Sequence, residues 1–275
     1  MKYYTIPFFV PHRGCSHKCV FCDQRSITGE LTSATPLPED IKKKIETYLA
    51  TMPKSGVYVQ VGFFGGSFTG ISEEDQKKFL SPVMEFLDDG RVKGVRLSTR
   101  PDLIGQKKID FLSAHGVSCI ELGVQSMFRD VLDASGRGHT PEHTVEASRL
   151  ILKNGLDLTH QIMIGLPESS YDKEFLTARM AVDLGASQVR IYPVIVMKGT
   201  ELAEMWRKKE YAALEMEEAL ERSAKLISFF RRSNVKVIRC GLHASEALLS
   251  GEKYLAGPFH QSFGHYAAER ANKIC

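Results

Sequence analysis

Short runs rich in valine, isoleucine and phenylalanine alternate along the chain with longer stretches in which apolar residues recur at three- and four-residue steps. Glycine marks each return from the second kind to the first: Gly90 stands before the run at 92–97, Gly116 before 117–122, Gly155 before 156–164 and Gly185 before 188–196. A helix that ends in a left-handed residue just ahead of a strand leaves this mark. Helix starts are also legible. Ser72 with Glu73, Glu74 and Asp75 behind it suits an N-cap, and Thr140-Pro141 puts proline at a first helical position. Met216, Leu220, Ile227 and Phe230, spaced between charged residues, predict one long amphipathic helix from about 214 to 230.

The apolar runs predict six strands, near 3–10, 57–64, 92–98, 117–124, 157–164 and 188–196, with enough chain between them for helices. Strand and helix in alternation mean an α/β fold whose parallel sheet is joined by right-handed crossovers. Six units fall short of the eight of a closed barrel. The expectation is a partial (β/α)6 barrel over residues 1–205, with its site at the carboxyl ends of the strands. Residues 206–275, helical and then irregular around Gly257-Pro258-Phe259-His260, read as an extension packed on the same domain.

Composition narrows the function classes. The 275 residues are 43% hydrophobic and 25% charged, and 36 basic against 33 acidic residues leave a net charge of +3. That balance is too small to mark a nucleic-acid or membrane-surface protein by bulk electrostatics. No run approaches the roughly 18 apolar residues of a membrane span, and the first residues lack a signal peptide's apolar stretch. A cytoplasmic protein with no membrane partner is expected. The six cysteines are unevenly placed: Cys15, Cys19 and Cys22 crowd one loop, whereas Cys119, Cys240 and Cys275 are scattered. Such a cluster in a reducing compartment reads as metal-binding or catalytic before it reads as disulfide. Cys119, inside an apolar run, reads as core.

The cysteine loop follows the first predicted strand, where the fold expects chemistry. Three thiols with three and two residues between them can wrap one face of an iron–sulfur cubane and leave one iron open to a substrate, since full ligation would use four cysteines. Structural zinc would need a fourth ligand from His12, His17 or a distant cysteine, none at the usual paired spacing.

This spacing, with Phe21 just before the last cysteine, resembles the radical S-adenosylmethionine (SAM) superfamily. The resemblance implies a 4Fe-4S cluster on Cys15, Cys19 and Cys22 whose open iron chelates SAM. One electron from the cluster, supplied by a donor such as a ferredoxin or flavodoxin, then cleaves SAM to methionine and a 5′-deoxyadenosyl radical. The protein supplies positioning and electrostatics. Gly65-Gly66-Ser67 resembles the family's turn that binds the methionine amino group through backbone, with Ser67 where glutamate is usual. Gln161, Met163, Gly165 and Glu168 stand at the positions of the family's adenine-binding segment.

Five stretches further resemble the radical SAM domain of the Elongator catalytic subunit: 98–102, 121–126, 137–140, 163–167 and 191–202. They imply cofactor contacts from Ser98, Arg100, Gln125, Arg137, Gln161 and Tyr192. Arg100 and Arg137 suit a carboxylate of cofactor or substrate, because the guanidinium fork matches it. His139 stands between a proton-donating and a structural role. Two departures matter: the Cys15–Cys19 gap is the short one general to the superfamily, and 275 residues leave no room for that subunit's acetyltransferase domain. Hydrogen abstraction from an unidentified substrate is expected, with tRNA the first to consider. Arg13, Lys18 and Arg25 beside the cluster loop, with Arg207-Lys208-Lys209 and Arg231-Arg232, offer a weak electrostatic hint of RNA. The alternatives are an anaerobic porphyrinogen oxidative decarboxylase and a non-catalytic iron–sulfur or zinc module that binds RNA or protein.

Overall fold

A computed structural model of the chain describes residues 2–10, 13–15, 17–23, 36–243 and 245–274; His12, Arg25 and Cys275 lie outside them. Nine strands alternate with helices: β1 (Lys2–Phe9), α1 (Pro38–Ala50), β2 (Val57–Phe64), α2 (Glu73–Asp88), β3 (Gly94–Thr99), α3 (Gln106–Ala114), β4 (Val117–Gln125), α4 (Arg129–Ala134), α5 (Pro141–Lys153), β5 (Asp157–Ile164), α6 (Tyr171–Asp183), β6 (Gln188–Pro193), β7 (Val196–Met197), α7 (Glu201–Arg207), α8 (Met216–Arg232), β8 (Lys236–Cys240), α9 (Glu246–Leu249), β9 (Tyr254–Ala256) and α10 (Phe263–Ala271).

Seven of the strands form one sheet in the order β1-β2-β3-β4-β5-β6-β8, every pair parallel. The sheet curls into an open barrel with helices outside it, while α4 and α7 pack with Val20 of the cysteine loop at the carboxyl ends of the strands, so the expected partial barrel is present with one strand more than the six expected. The seventh, β8, comes from the segment read as a helical extension. Only five residues long, with Lys236 and Arg239 within it and Gly241 behind it, it carries too weak an apolar run to stand out. The barrel therefore continues past residue 205, and β7 and β9 form a separate antiparallel pair.

The glycines behave as expected: Gly90, Gly116, Gly155 and Gly185 all take left-handed φ values of 74° to 80°. Ser72 accepts from the Asp75 N–H at 3.1 Å, and Thr140 opens α5 with a capping box completed by His143.

Alternation along each strand sorts the two faces of the sheet. In β2, Val59, Val61 and Phe63 point into the core under the helices, whereas Tyr58, Gln60 and Phe64 point into the lumen. Strands of a parallel sheet covered on both sides are ordinarily apolar on both. Here the inner face is polar through β3, β4, β5 and β6, the mark of a lumen built to hold a ligand. The circle is left open between β1 and β8. Across that seam Lys236 Nζ lies 4.8 Å from the Tyr3 ring centre, and the Phe9 and His243 rings are 6.3 Å apart.

The outer core is densest around Phe63, which is fully buried and lies 5.6, 5.2 and 5.5 Å from the rings of Phe8, Phe68 and Phe79. Truncating a buried phenylalanine leaves a cavity that rigid neighbours cannot fill. Phe63→Ala is expected to cost about 3–5 kcal/mol, read as a lower urea midpoint with an unchanged slope.

Candidate active site

The cysteine loop leaves β1 at its carboxyl end and is pinned by backbone. Ser67 N donates to Arg13 O at 2.9 Å, Val20 N to Ser135 O at 3.1 Å and Leu202 N to Val20 O at 2.8 Å, and Cys22 N closes a turn onto Cys19 O at 3.1 Å. The loop and the Gly65–Ser67 turn approach so closely that a Cβ on Gly66 would meet Val10 O at 2.3 Å and Arg13 O at 2.6 Å. Glycine is required there because both obstacles are backbone.

The three thiols meet three environments. Cys15 Sγ lies 3.3 Å from Ser67 Oγ, so the serine that replaces the usual glutamate touches a thiol. Cys19 is buried and its Sγ accepts from Arg137 Nη1 at 3.3 Å. Cys22 faces the lumen. Its thiol is pushed up to about 12, first by burial and then by Cys19 and Cys15, with Arg137 opposing. An iron–sulfur core binds cysteines as thiolates, and its positive irons offset the cost of burying that charge. Among the described residues no three His, Cys, Asp or Glu side chains are grouped to hold a single metal ion.

The lumen is a cavity of about 980 Å³. Of the residues singled out in the sequence, Phe21, Cys22, Gly65, Gly66, Ser98, Gln125, Gln161, Met163 and Tyr192 line it. Gln125 ends β4 with a φ of 64°, a conformation non-glycine residues hold at a cost, and its buried Oε1 has no partner among the described residues. That unmet acceptor and the Gly65–Gly66 wall beside Cys22 fit a polar ligand seated against the cysteine loop.

Other residues are placed differently. Arg100 forks onto its neighbour Asp102 at 3.0 Å through both Nε and Nη2 and does not line the cavity, so the expected carboxylate contact is made within the chain. Arg137 points at Cys19 and at the carbonyl of Gly123. Gly165 is tied off: its N–H donates to Glu174 Oε1 at 2.7 Å and its C=O accepts from the Tyr211 hydroxyl at 2.6 Å. It fixes the end of β5 and leaves Met163 to face the lumen. His139 is buried, and burial followed by the charges of Arg137 and Arg100 pushes it down to about 2, which keeps the ring neutral.

The floor of the lumen was not legible as a site. Glu121, fully buried, accepts from Arg190 Nε at 2.7 Å and Nη2 at 3.0 Å and from Gln161 Nε2 at 3.0 Å, with Arg96 Nη1 3.3 Å away. Gln161 continues to Ser98 Oγ at 3.0 Å, and Arg96 donates to Gln188 Oε1 at 2.7 Å and to Cys119 Sγ at 3.1 Å. Cys119 is buried as expected, within this polar layer instead of among apolar side chains. The missed signal was Arg96, Glu121 and Arg190 inside strands that are otherwise apolar.

Comparison with known proteins follows this geometry. Residues 9–178 match the radical SAM superfamily and residues 186–273 the Radical_SAM C-terminal domain. The chain belongs to the radical SAM superfamily, enzymes that pair a 4Fe-4S cluster with SAM. Among its relatives, a tRNA uridine(34) acetyltransferase of Methanocaldococcus jannaschii is 28% identical over 262 residues, covering 82% of this chain and 48% of that protein. Elongator complex protein 3 of Schizosaccharomyces pombe is 25% identical over 166 residues, 58% of this chain and 30% of that one. The chain thus spans about half the length, or less, of these relatives. In structure it resembles archaeal Elp3 of Methanocaldococcus infernus, lacking its N-terminus, with a TM-score of 0.76, 22% identity and coverage of 99% of this chain and 63% of that one. Coproporphyrinogen III oxidase of Escherichia coli shares the fold at a TM-score of 0.56, with 16% identity and coverage of 84% and 52%. Among the described residues no helix is long and apolar enough to cross a membrane.

Glu121 carries a pH prediction. Burial works against its ionisation, but Arg190, Arg96 and Gln161 outweigh burial and hold the carboxyl below the usual glutamate range. A depressed folded-state pKa gives stability above the unfolded value of about 4.3, lost as pH falls through the folded value. Glu121→Gln is expected to cost about 3–5 kcal/mol at pH 7, because a buried guanidinium, Arg96, and a largely buried one, Arg190, lose their anion. Denaturant titrations across pH should show that deficit shrinking on acidification below about pH 4.

Proposed function

We propose that Cys15, Cys19 and Cys22 hold the 4Fe-4S cluster, that SAM occupies the lumen between Cys22, the Gly65–Gly66 turn and Gln125, and that the hydrogen atom abstracted belongs to a nucleoside of tRNA. The observation that carries the site is that one cavity is lined by the cysteine loop, that turn and an unsatisfied buried acceptor together. When bound, the cluster supplies the electron that cleaves SAM and so the radical that takes the hydrogen. The chain's own part is to hold the thiols apart by backbone pinning, to exclude water from Cys19, and to brace the chamber from below through Glu121.

Three considerations favour a nucleotide substrate. Relatives carry the name tRNA uridine(34) acetyltransferase. The cavity, at about 980 Å³, has room beyond a cofactor of SAM's size. At the open seam Arg239 lines the cavity beside Arg190, its cross-strand neighbour. Glu121 neutralises Arg190, whereas Arg239 spends only Nε, on Gly241 O at 3.1 Å, and has no carboxylate partner among the described residues. Exposed His243 stands near it. An unneutralised guanidinium at a lumen mouth suits a phosphate whose base reaches inward. Acetyl transfer is not part of the proposal, because the chain matches only about half of those relatives.

Cys19→Ala is expected to abolish 5′-deoxyadenosine production from SAM in anaerobically reconstituted protein while the far-ultraviolet circular dichroism stays native; retained production would remove Cys19 from the ligand set. Mass spectrometry of tRNA nucleosides from cells with and without the gene should show one modified nucleoside lost, and an unchanged profile would exclude tRNA as substrate. Arg239→Gln should weaken tRNA binding and reduce its log–log salt slope by about one, measured by filter binding over a salt series.

A further inference from the structure

Arg137 is a buried cation with no carboxylate. Its side chain is held between the left-handed residues Gly136 and Gly138, at φ values of 63° and 69°, and the residue is 7% exposed. Nη2 donates to the Gly123 carbonyl, Nη1 donates to Cys19 Sγ at 3.3 Å, and buried Nε has no partner. Among the described residues no Asp or Glu pairs with it. A desolvated guanidinium without an anion is strongly unfavourable, by several kcal/mol in proteins. Among the described residues, the side-chain atom within its hydrogen-bond reach that can carry negative charge is the Cys19 sulfur.

The neighbouring charges sharpen the point. Arg100, also buried, is cancelled by Asp102, and His139 between the two arginines is neutral. Among the described residues Cys15 meets the neutral hydroxyl of Ser67, and Cys22 faces the lumen. Arg137 is thus the charged hydrogen-bond donor to one of the three thiols.

We propose that Arg137 is the built-in counter-charge of the cluster: it donates to the Cys19 thiolate and raises the cluster's reduction potential, instead of binding a carboxylate of SAM or substrate. This rests on the ligand assignment proposed above. A cubane bound by three thiolates is anionic when oxidised and gains one further negative charge on reduction. A fixed cation at one sulfur therefore stabilises the reduced form more than the oxidised one, and hydrogen bonds to cluster sulfurs act in the same sense. Arg137 is a positioning residue: it neither meets the substrate nor transfers a proton.

The test is a reductive titration of the reconstituted full-length protein without SAM, followed by electron paramagnetic resonance, for wild type, Arg137→Gln and Ser67→Ala. Arg137→Gln should move the midpoint to more negative potential at equal iron content, and Ser67→Ala should move it less, because a neutral donor is lost. An unchanged midpoint in an iron-replete Arg137→Gln protein, with weakened SAM binding in its place, would overturn the proposal and return Arg137 to a carboxylate site. Wild-type protein carrying guanidino-¹⁵N arginine gives a readout independent of how the variant folds. Pulsed resonance on the reduced cluster should detect a weak ¹⁵N coupling, and its absence would equally overturn the proposal. If wild type forms no cluster, or Cys19→Ala keeps one unaltered, the ligand assignment fails first and the role of Arg137 falls with it; a normal cluster indifferent to Arg137 leaves that assignment standing.

Discussion

Glu121 ties four consecutive strands together across the inside of the barrel. Arg96 reaches it from β3, Gln161 from β5 and Arg190 from β6; Glu121 and Arg96 are buried, while Gln161 and Arg190 are partly exposed at the lumen. A parallel sheet whose inner face must admit a charged cofactor cannot be filled with valine and leucine, as a closed barrel is. It needs polar side chains that satisfy one another, because an unmatched charge at such depth outweighs the packing it displaces. One carboxylate between two guanidiniums, extended through amides and a hydroxyl, meets that condition and leaves one surplus positive charge. The lumen above this layer can then stay open without the sheet collapsing into it.

The upper half of the site is built on a different principle. Side chains set the floor, whereas backbone sets the cysteine loop: glycine at 66 lets two chain segments touch, and hydrogen bonds from Ser67, Val20 and Leu202 fix the path between the thiols. This division suits a superfamily in which the cluster geometry is constant and the substrate varies. Loop backbone can be held to a fraction of an ångström irrespective of its neighbours, while the polar strand positions below are free to change with what the lumen must receive.

Much of this was legible beforehand, for identifiable reasons. The positions of six strands and several helix starts could be read because glycines at 90, 116, 155 and 185 and the caps at Ser72 and Thr140 act locally, and the structure keeps each of them. The cysteine triad could be read because its chemistry depends on spacing within one loop. What could not be read depends on partners distant in sequence. Glu121 and Arg190 are 69 residues apart and meet only because β4 and β6 flank β5. Arg100 was read as a ligand contact although Asp102, two residues on, was available to claim it. β8 was passed over because a five-residue strand at a sheet edge needs little apolar sequence when α8 and α10 cover it.

Charge along the lumen runs in one direction. The floor carries a surplus guanidinium, the seam carries Arg239 unneutralised, and the buried side of the cysteine loop carries Arg137 against Cys19. On the proposed reading, these positive groups stand where negative ones are to be received or retained: the cluster beside Cys19, and a phosphate entering past β8. The seam between β1 and β8 is, on that reading, the entry, because among the described residues no ladder hydrogen bonds join these two strands and the Tyr3–Lys236 and Phe9–His243 contacts cross between them. Contacts of that kind are worth roughly 0.5–1 kcal/mol at exposed sites, well within what a bound polyanion can offset. On the same reading an incomplete barrel serves as more than a shortened one: its open seam gives a large substrate a route by which to present one residue to the lumen.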